Sequence, residues 1–207
     1  MAEVYSIDGL IPVVNPNSFV HPDAVLIGDV VIGPDCYIGP NASIRGDFGR
    51  IVIGAGCNVQ DCCVMHSFPG NECVIEDWGH VGHAAVLHGC HVGENALIGM
   101  NSCVMDGAVV GESAIVAAMA FVKAGAEIPA RSLAAGSPAR VLRQLSDDKI
   151  EWKRAATRGY QELARRSLAT MEGVDPLPEP EPDRRRMPIE AYDPLHARKA
   201  KGDKSGD

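Results

Sequence analysis

Residues 86–128 read VLHGCHVGENALIGMNSCVMDGAVVGESAIVAAMAFVKAGAEI and place an aliphatic side chain at every sixth position. The aliphatic series is Val86, Val92, Ile98, Val104, Val110, Val116, Val122 and Ile128. The residue two places before each of these is small, in the series Ala84, Cys90, Ala96, Ser102, Ala108, Ala114, Ala120 and Ala126. Neither a helix with a period of 3.6 nor simple alternation produces this spacing. The repeat predicts a parallel β-helix in which each flat face takes one hexad.

The same period extends toward the N-terminus. It runs through Val20, Leu26, Ile32, Ile38 and Ile44, and after a three-residue slip it resumes at Ile53, Val59 and Met65. A second break separates Met65 from the series that begins at Val86. Three hexads make one triangular coil, so residues three hexads apart are expected to stack. The predicted fold class is therefore an all-β solenoid.

Composition indicates which partners the protein binds, where it is located and whether its cysteines are oxidised. The 207 residues carry 19 Lys+Arg against 27 Asp+Glu, a net charge of −8, which does not favour a nucleic-acid or anionic-membrane partner. The start MAEVYSIDGLIPVV lacks the charge and apolar pattern of a signal peptide, and this predicts a cytosolic protein. Seven Cys, an odd number, are expected to remain reduced.

The repeat ends after Ile128, and the pattern predicts three segments. Residues 1–145 form the β-helix domain, and residues 146–172 form a C-terminal helix capped by Ser146 and packed on it. The apolar residues Ile150, Ala156, Tyr160, Leu163 and Leu168 are expected to lie on the packed face of that helix. Residues 173–207 are rich in proline, contain Arg184, Arg185 and Arg186, and are expected to be extended or disordered.

Three histidines lie around the second break: His66, His83 and His88. The step from His66 to His83 is close to one regular coil, which predicts that His83 lies almost directly over His66, with His88 about one hexad further along. Three His with no fourth protein ligand are typical of a catalytic zinc site with an open position. Because His80 and His91 are nearby, a polar face lined by all five is the alternative.

Several motifs, separated along the chain, together match those of a known family. They are Arg45-Gly46-Asp47, Asn58-Val59-Gln60-Asp61, His66, and Gly82-His83-Ala84-Ala85-Val86-Leu87-His88-Gly89-Cys90. Together they resemble the γ-class carbonic anhydrase family of hexapeptide-repeat proteins. The resemblance implies a homotrimer of left-handed β-helices with a metal site at each subunit interface. His66 and His88 would come from one protomer and His83 from its neighbour, with Zn²⁺ as the metal and Fe²⁺ or Co²⁺ as alternatives.

The resemblance also implies roles around the metal. Arg45 and Asp47 match the intersubunit ion pair of the family, and Asp61 matches a second carboxylate partner for arginine. Asn58 belongs to the same site-supporting motif, and Gln60 matches the glutamine that orients the metal-bound hydroxide. Tyr160 on the C-terminal helix is a further candidate. The alternatives are an ordinary surface ion pair at Arg45, a turn-satisfying role for Gln60, and plain packing for Tyr160.

At two positions the sequence differs from the family in a way that affects the expected activity. Phe48 stands where well-known members have a glutamate that exports protons, and the loop at residues 67–72 carries one carboxylate, Glu72. Cys62 stands where relatives usually have asparagine, and it is expected to lie in a turn. Without these proton acceptors, a zinc-hydroxide hydrolase is favoured over rapid CO₂ hydration. The resemblance implies that this hydrolase is a CoA thioesterase of phenylacetate catabolism. A genuine γ-class carbonic anhydrase is the first alternative, and a hexapeptide acyltransferase is the second.

Overall fold

The computed structural model describes residues 2–187, and in this range the chain is a left-handed parallel β-helix followed by one α-helix. The strands before the histidines are β1 Glu3–Tyr5, β2 Val13–Val14, β3 Phe19–Val20, β4 Val25–Ile32, β5 Tyr37–Ile38, β6 Ser43–Ile53 and β7 Asn58–Val59. The next are β8 Val64–His66, β9 Cys73–Ile75, β10 His80–Val81, β11 Val86–His88, β12 His91–Val92 and β13 Leu97–Ile98. The last are β14 Cys103–Val104, β15 Val109–Val110, β16 Ile115–Val116, β17 Phe121–Val122, β18 Glu127–Ile128, β19 Ser132–Ala135 and β20 Arg140–Gln144.

The strands stack into three faces of a solenoid of about seven turns. One face is the sheet from β3 through β10 to β19, and β20 closes its end by pairing antiparallel with β19. The other two faces join through β6, whose first residues pair with β8 and whose last residues pair with β9. The predicted solenoid is confirmed.

The core is the column of aliphatic and small side chains that the hexads predicted. Ile44, Met65, Val92 and Ile98 are fully buried. Val86 is an exception, because its side chain is 36% exposed whereas the neighbouring Leu87 is buried. The prediction for Val86 was wrong because the step from Leu87 to Val92 falls one position short of a hexad.

The coils have unequal lengths around the histidines. Val25 pairs with Ser43 across a regular coil of three hexads. Ser43 then pairs with Val64, and Val64 with Val86, across coils that are each longer than three hexads. The following coil, from Val86 to Cys103, is slightly shorter than three hexads. The extension of β6 and the loop at residues 67–72 supply the extra length.

These unequal coils change which histidines stack. His66 pairs in register with His88, the last residue of the neighbouring strand β11. His83 falls outside both strands, in the turn between β10 and β11. The expectation that His83 would lie over His66 was therefore wrong, because it assumed a regular coil at this point.

The C-terminal helix α1 spans Asp147–Thr170 and begins after Ser146, whose carbonyl accepts from the backbone N–H of Lys149 and Ile150. Its buried face is largely polar, with the members Lys149, Lys153, Ala156, Thr157, Gln161 and Ala164. Leu168, expected on the packed face, is exposed. The apolar-face prediction therefore holds only in part, because α1 lies on the β-helix through hydrogen bonds from its polar side chains.

Gln161 donates to the carbonyl of Gly56, and Lys153 donates to the carbonyl of Trp78 and to Asn95 Oδ1. Each of these bonds satisfies a backbone or side-chain oxygen that α1 removes from water.

Thr170 and the residues after it belong to a separate unit. From residue 171 to residue 187 the chain is irregular, and Arg184 pairs with Glu181 at 2.6 Å. The remainder of the predicted tail, residues 188–207, lies outside the described residues. Across residues 2–187, no helix is long and apolar enough to cross a membrane.

Candidate metal centre

His66 and His88 form a stacked pair on one outer face of the β-helix. They are the last residues of the paired strands β8 and β11, and the side chains before them, Met65 and Leu87, point into the core. Alternation along a strand therefore directs both imidazoles outward. His66 Nδ1 lies 3.2 Å from His88 Nε2.

A carboxylate holds the other nitrogen of each ring. His66 Nε2 lies 2.9 Å from Asp47 Oδ1, and His88 Nδ1 lies 2.6 Å from Asp106 Oδ1. Because an ionised carboxylate only accepts hydrogen bonds, each of these ring nitrogens carries the proton. The facing nitrogens, His66 Nδ1 and His88 Nε2, then direct two lone pairs at one point, where they require a proton or a cation between them.

The spacing of the pair fits a metal. Two nitrogens bound tetrahedrally at the usual zinc distance of about 2.0 to 2.1 Å are separated by about 3.3 Å. Histidines that ligate metals characteristically donate their second N–H to a carboxylate, as His66 and His88 do here. The donor set thus fits two of the ligands of a divalent metal.

Gly89 makes room for one of these carboxylates. It has φ +53°, and a Cβ at this position would come within 2.5 Å of Asp106 Oδ1. A side chain at position 89 would push the Asp106 carboxylate away from its place against His88, so glycine favours this contact.

His83 lies apart from this pair, in the turn between β10 and β11. Its Nδ1 is 2.8 Å from Asp61 Oδ2, so it has the same carboxylate pairing and one free nitrogen, Nε2. Among residues 2–187, no three His, Cys, Asp or Glu side chains of one chain form a metal-binding group. We refer to the pair of His66 and His88 at one corner, and to His83 at another, as two candidate half-sites.

Arg45 and Asp47 pair within the protomer, whereas the resemblance implies an ion pair between subunits. Arg45 Nη1 lies 3.1 Å from Asp47 Oδ2, so Asp47 binds Arg45 and His66 through different oxygens. Asp61, matched to an arginine partner by the resemblance, instead accepts from His83. Cys62 is exposed in a turn with φ +59°, as expected.

Asn58 and Gln60 lie on the His83 side, buried between the β-helix and α1. Gln60 Nε2 donates to Asn58 Oδ1 at 2.9 Å and lies 2.8 Å from His80 Nε2. Tyr160 packs its ring against Tyr37 and His80, with ring centroids 5.5 and 5.4 Å apart. These contacts place Tyr160 beside the group that supports Gln60.

Two exposed phenyl rings flank the stacked histidines. Phe48 lies 5.4 Å from the His66 ring, and Phe68 lies 5.1 Å from the His88 ring, measured between centroids. The side chains of Phe48 and Phe68 are 61% and 53% exposed. The pair of imidazoles therefore opens to an apolar surface.

Sequence reasoning missed Asp106, Phe68 and the role of His80. Asp106 follows His88 by one regular coil of three hexads, so the repeat contained the signal for this contact. His80 was noted only as a neighbour, and its partner Thr157 comes from α1, far along the chain. No short spacing could indicate that contact.

The sequence matches the family model of the bacterial transferase hexapeptide (six repeats) over residues 12–46 and 89–124. Carnitine operon protein CaiE of Salmonella dublin is 55% identical over 183 residues, which cover 88% of this chain and 92% of CaiE. CaiE of Salmonella newport matches to the same extent. These relatives are named for the carnitine operon, whereas the motifs had pointed to phenylacetate catabolism.

Solved structures of the same fold carry transferase names. The BC4754 gene product of Bacillus cereus, provisionally named an acetyltransferase, is 35% identical with a TM-score of 0.80, and the match covers 81% of this chain and 98% of that protein. A hexapeptide transferase family protein of Anaplasma phagocytophilum is 34% identical with a TM-score of 0.76, over 79% of this chain and 96% of that one.

Proposed function

Because the chain belongs to the bacterial transferase hexapeptide family, together with the CaiE proteins, we propose that it is a metal-dependent hydrolase that works as a homotrimer. The observation that carries the proposal is the convergence of His66 Nδ1 and His88 Nε2 at 3.2 Å, with each ring held by a carboxylate. His83 of a second protomer would complete the ligand set. Zinc is the proposed metal, with iron or cobalt as alternatives, since three imidazoles accept several divalent ions.

The placement of the half-sites supports a shared centre. His83 has its own carboxylate, Asp61, and within residues 2–187 it belongs to no group of three side chains that could hold a metal. The face that carries His66 and His88 also exposes Val64 and Val86, which stack on each other and are 37% and 36% exposed. Apolar side chains beside an incomplete ligand set favour a protomer contact at this face.

The chemistry follows from these donors. When held by His66, His88 and His83 of a second protomer, zinc would lower the pKa of a bound water to about 7 and so supply a nucleophile at neutral pH. Asp47, Asp61 and Asp106 fix the ring orientations. Arg45 holds the second oxygen of Asp47, so that Asp47 keeps its position against His66.

We propose a CoA thioester as the substrate, with an apolar acyl portion lying on Phe48 and Phe68. Both rings are more than half exposed beside the imidazole pair, where they offer apolar contact area that CO₂ does not need. The names of the relatives favour a thioester of carnitine rather than phenylacetate metabolism. The cytosolic location stays a prediction.

Metal analysis of the purified protein followed by paired assays tests the proposal. We expect about one metal per chain and chelator-sensitive CoA release from acyl-CoA substrates. Rapid CO₂ hydration without CoA release would instead establish the carbonic anhydrase alternative. Protein without metal and without turnover would contradict both.

The acyltransferase alternative is favoured by the names of the solved relatives. A transferase would release CoA only when an acceptor amine or alcohol is present, and chelators would not affect the rate. The three separate histidine–carboxylate pairs at His66, His83 and His88 favour the hydrolase, because a transferase has no need of three such ligands.

Mixing two inactive variants tests whether the centre is shared. His83→Ala keeps the pair of His66 and His88, and His88→Ala keeps His83. In randomly mixed trimers about a quarter of the interfaces combine the intact halves, so co-expression is expected to restore about a quarter of the wild-type activity. Each variant expressed alone is the control. Mixed protein as inactive as its parents would show that the ligands do not come from two protomers.

Phe48→Glu tests why CO₂ hydration should be slow. A carboxylate beside His66 offers a proton acceptor, so this variant is expected to raise CO₂ hydration by about 10-fold or more, within the range of general acid–base catalysis. Phe48→Gln has a similar shape but no charge, and serves as the matched control. Stopped-flow measurement at low buffer concentration gives the rates. An equal rate in both variants would contradict a missing proton acceptor at this position.

A further inference from the structure

His80 lies at the centre of a buried polar network between the β-helix and α1. Its side chain is on β10, and the residue is 9% exposed. His80 Nε2 lies 2.8 Å from Gln60 Nε2, while Nδ1 lies 3.3 Å from Thr157 Oγ1 and 3.2 Å from Asn58 Nδ2. The network thus links α1 to the glutamine that the resemblance places at the metal.

The hydrogen bonds of Gln60 determine the tautomer of His80. Gln60 Nε2 donates one hydrogen to Asn58 Oδ1, so its second hydrogen faces His80 Nε2. An amide nitrogen cannot accept, and Asn58 Nδ2 faces Nδ1 at 3.2 Å in the same way, so only one of the two amides can donate to the neutral ring. The Gln60 contact, at 2.8 Å, is the shorter, so it assigns the lone pair to Nε2 and leaves the Asn58 contact without a hydrogen bond. The proton of the neutral ring is then on Nδ1, which donates to Thr157 Oγ1.

The surroundings keep this ring neutral. Burial is the largest cause that lowers the pKa of His80 to about 3, and the electrostatic interactions with Lys153 and His83 lower it further. A doubly protonated ring, which would donate from both nitrogens, is therefore absent near neutral pH.

The amide oxygen of Gln60 is free to accept a hydrogen bond. Within the described chain no hydrogen bond reaches Gln60 Oε1, and this atom is not among the buried unpaired atoms, so it retains contact with solvent. The next residue, Asp61, binds His83. Gln60 therefore has its nitrogen held from the interior and an acceptor oxygen available beside the His83 half-site.

We propose that His80 is a positioning residue whose Nδ1–H tautomer orients the Gln60 amide, so that Oε1 presents a hydrogen-bond acceptor to the attacking water. This inference rests on the proposed hydrolase. The opposite tautomer would donate from Nε2 to Gln60 Oε1 and turn the amide nitrogen outward. The site would then present a donor in place of an acceptor, and the water would lose the group that holds its proton.

Long-range ¹H–¹⁵N NMR of the imidazoles in the wild-type trimer tests the tautomer directly, without any activity measurement. The signals of His80 are assigned by their absence from His80→Gln. We expect a neutral ring protonated on Nδ1 that does not titrate between pH 5 and 8. A ring protonated on Nε2, or one that titrates near pH 6.5, would overturn the proposal.

Kinetics test the consequence for catalysis. His80→Leu removes the acceptor and is expected to lower kcat by about 10- to 100-fold at unchanged KM and metal content, as for other groups that orient a metal site. His80→Gln returns an amide oxygen near the position of Nε2 and should recover part of kcat. A purely structural role would lower stability in both variants and leave the kcat of folded, metal-loaded protein unchanged.

The two sets of measurements distinguish a failure of the positioning role of His80 from a failure of the proposed hydrolase. Wild-type kcat in folded His80→Leu would overturn the positioning role while leaving the hydrolase intact. A wild-type protein that turns over neither CoA thioesters nor CO₂ would overturn the proposed function, and with it the role of His80 in catalysis.

Discussion

His88→Ala is expected to remove the bound metal and to lower hydrolase activity by about 1,000-fold or more. His88 contributes one of the two converging nitrogens, and its loss leaves His66 Nδ1 without a partner at the centre. Changes in groups that merely orient metal ligands cost about 10- to 100-fold, so the loss of a ligand itself must cost more. Metal content by mass spectrometry and CoA release from an acyl-CoA measure both effects on one sample.

His91→Ala is the matched control. His91 lies on the same β-helix and binds a carboxylate, Glu76, at 2.7 Å, but it belongs to neither half-site. This variant is expected to keep both metal and activity. Retention of metal and activity by His88→Ala would show that the ligand assignment is wrong.

The free energy of unfolding should rise with pH between about 7 and 10.5 because of Lys153. Burial is the largest cause that lowers the pKa of Lys153 from 10.5 to about 7, and the residue is 1% exposed. Between these values the unfolded chain binds one proton more than the folded chain, so stability rises by about 1.4 kcal/mol per pH unit. Over the whole window the contribution is about 5 kcal/mol. Below pH 7 both states are charged and the slope vanishes.

Lys153→Met should remove this slope, and urea unfolding from pH 7 to 10 under reducing conditions measures it. Lys123→Met replaces an exposed lysine and should leave the slope as in the wild type. The difference between the two variants isolates Lys153 from every other titrating group. Identical slopes in wild type and Lys153→Met would contradict a depressed pKa at this position.

The repeat predicted the fold because its information is local. Each hexad carries its own inward aliphatic residue, so the core from Val92 to Ile128 follows from spacing alone. The register failed at Val86, where one coil is shorter than three hexads. The sequence does not reveal the shortened coil. Ala85 and Leu87 are the buried small and aliphatic residues, but Val86 is apolar too and fits a hexad counted one position earlier.

The start of the helix was predictable and its packed face was not. Ser146 precedes two acidic residues, and α1 begins there. Its contacts, however, are set by the surface it lies on, which offers the carbonyls of Gly56 and Trp78 and the side chain of Asn95. Polar residues such as Lys153 and Gln161 satisfy these groups better than leucines can, so the apolar stripe predicted the packed face only in part.

By itself, the sequence determined the solenoid, the start of the helix and the candidate histidines, since hexads, caps and residue types act over a few neighbouring residues. Only the tertiary structure decided which histidines meet. The coil from Val64 to Val86, which is longer than the regular three hexads, brings His66 onto His88 and leaves His83 at another corner. The physical reason is that stacking in a solenoid depends on the full length of each coil, so that a short insertion in one loop changes every contact across the faces.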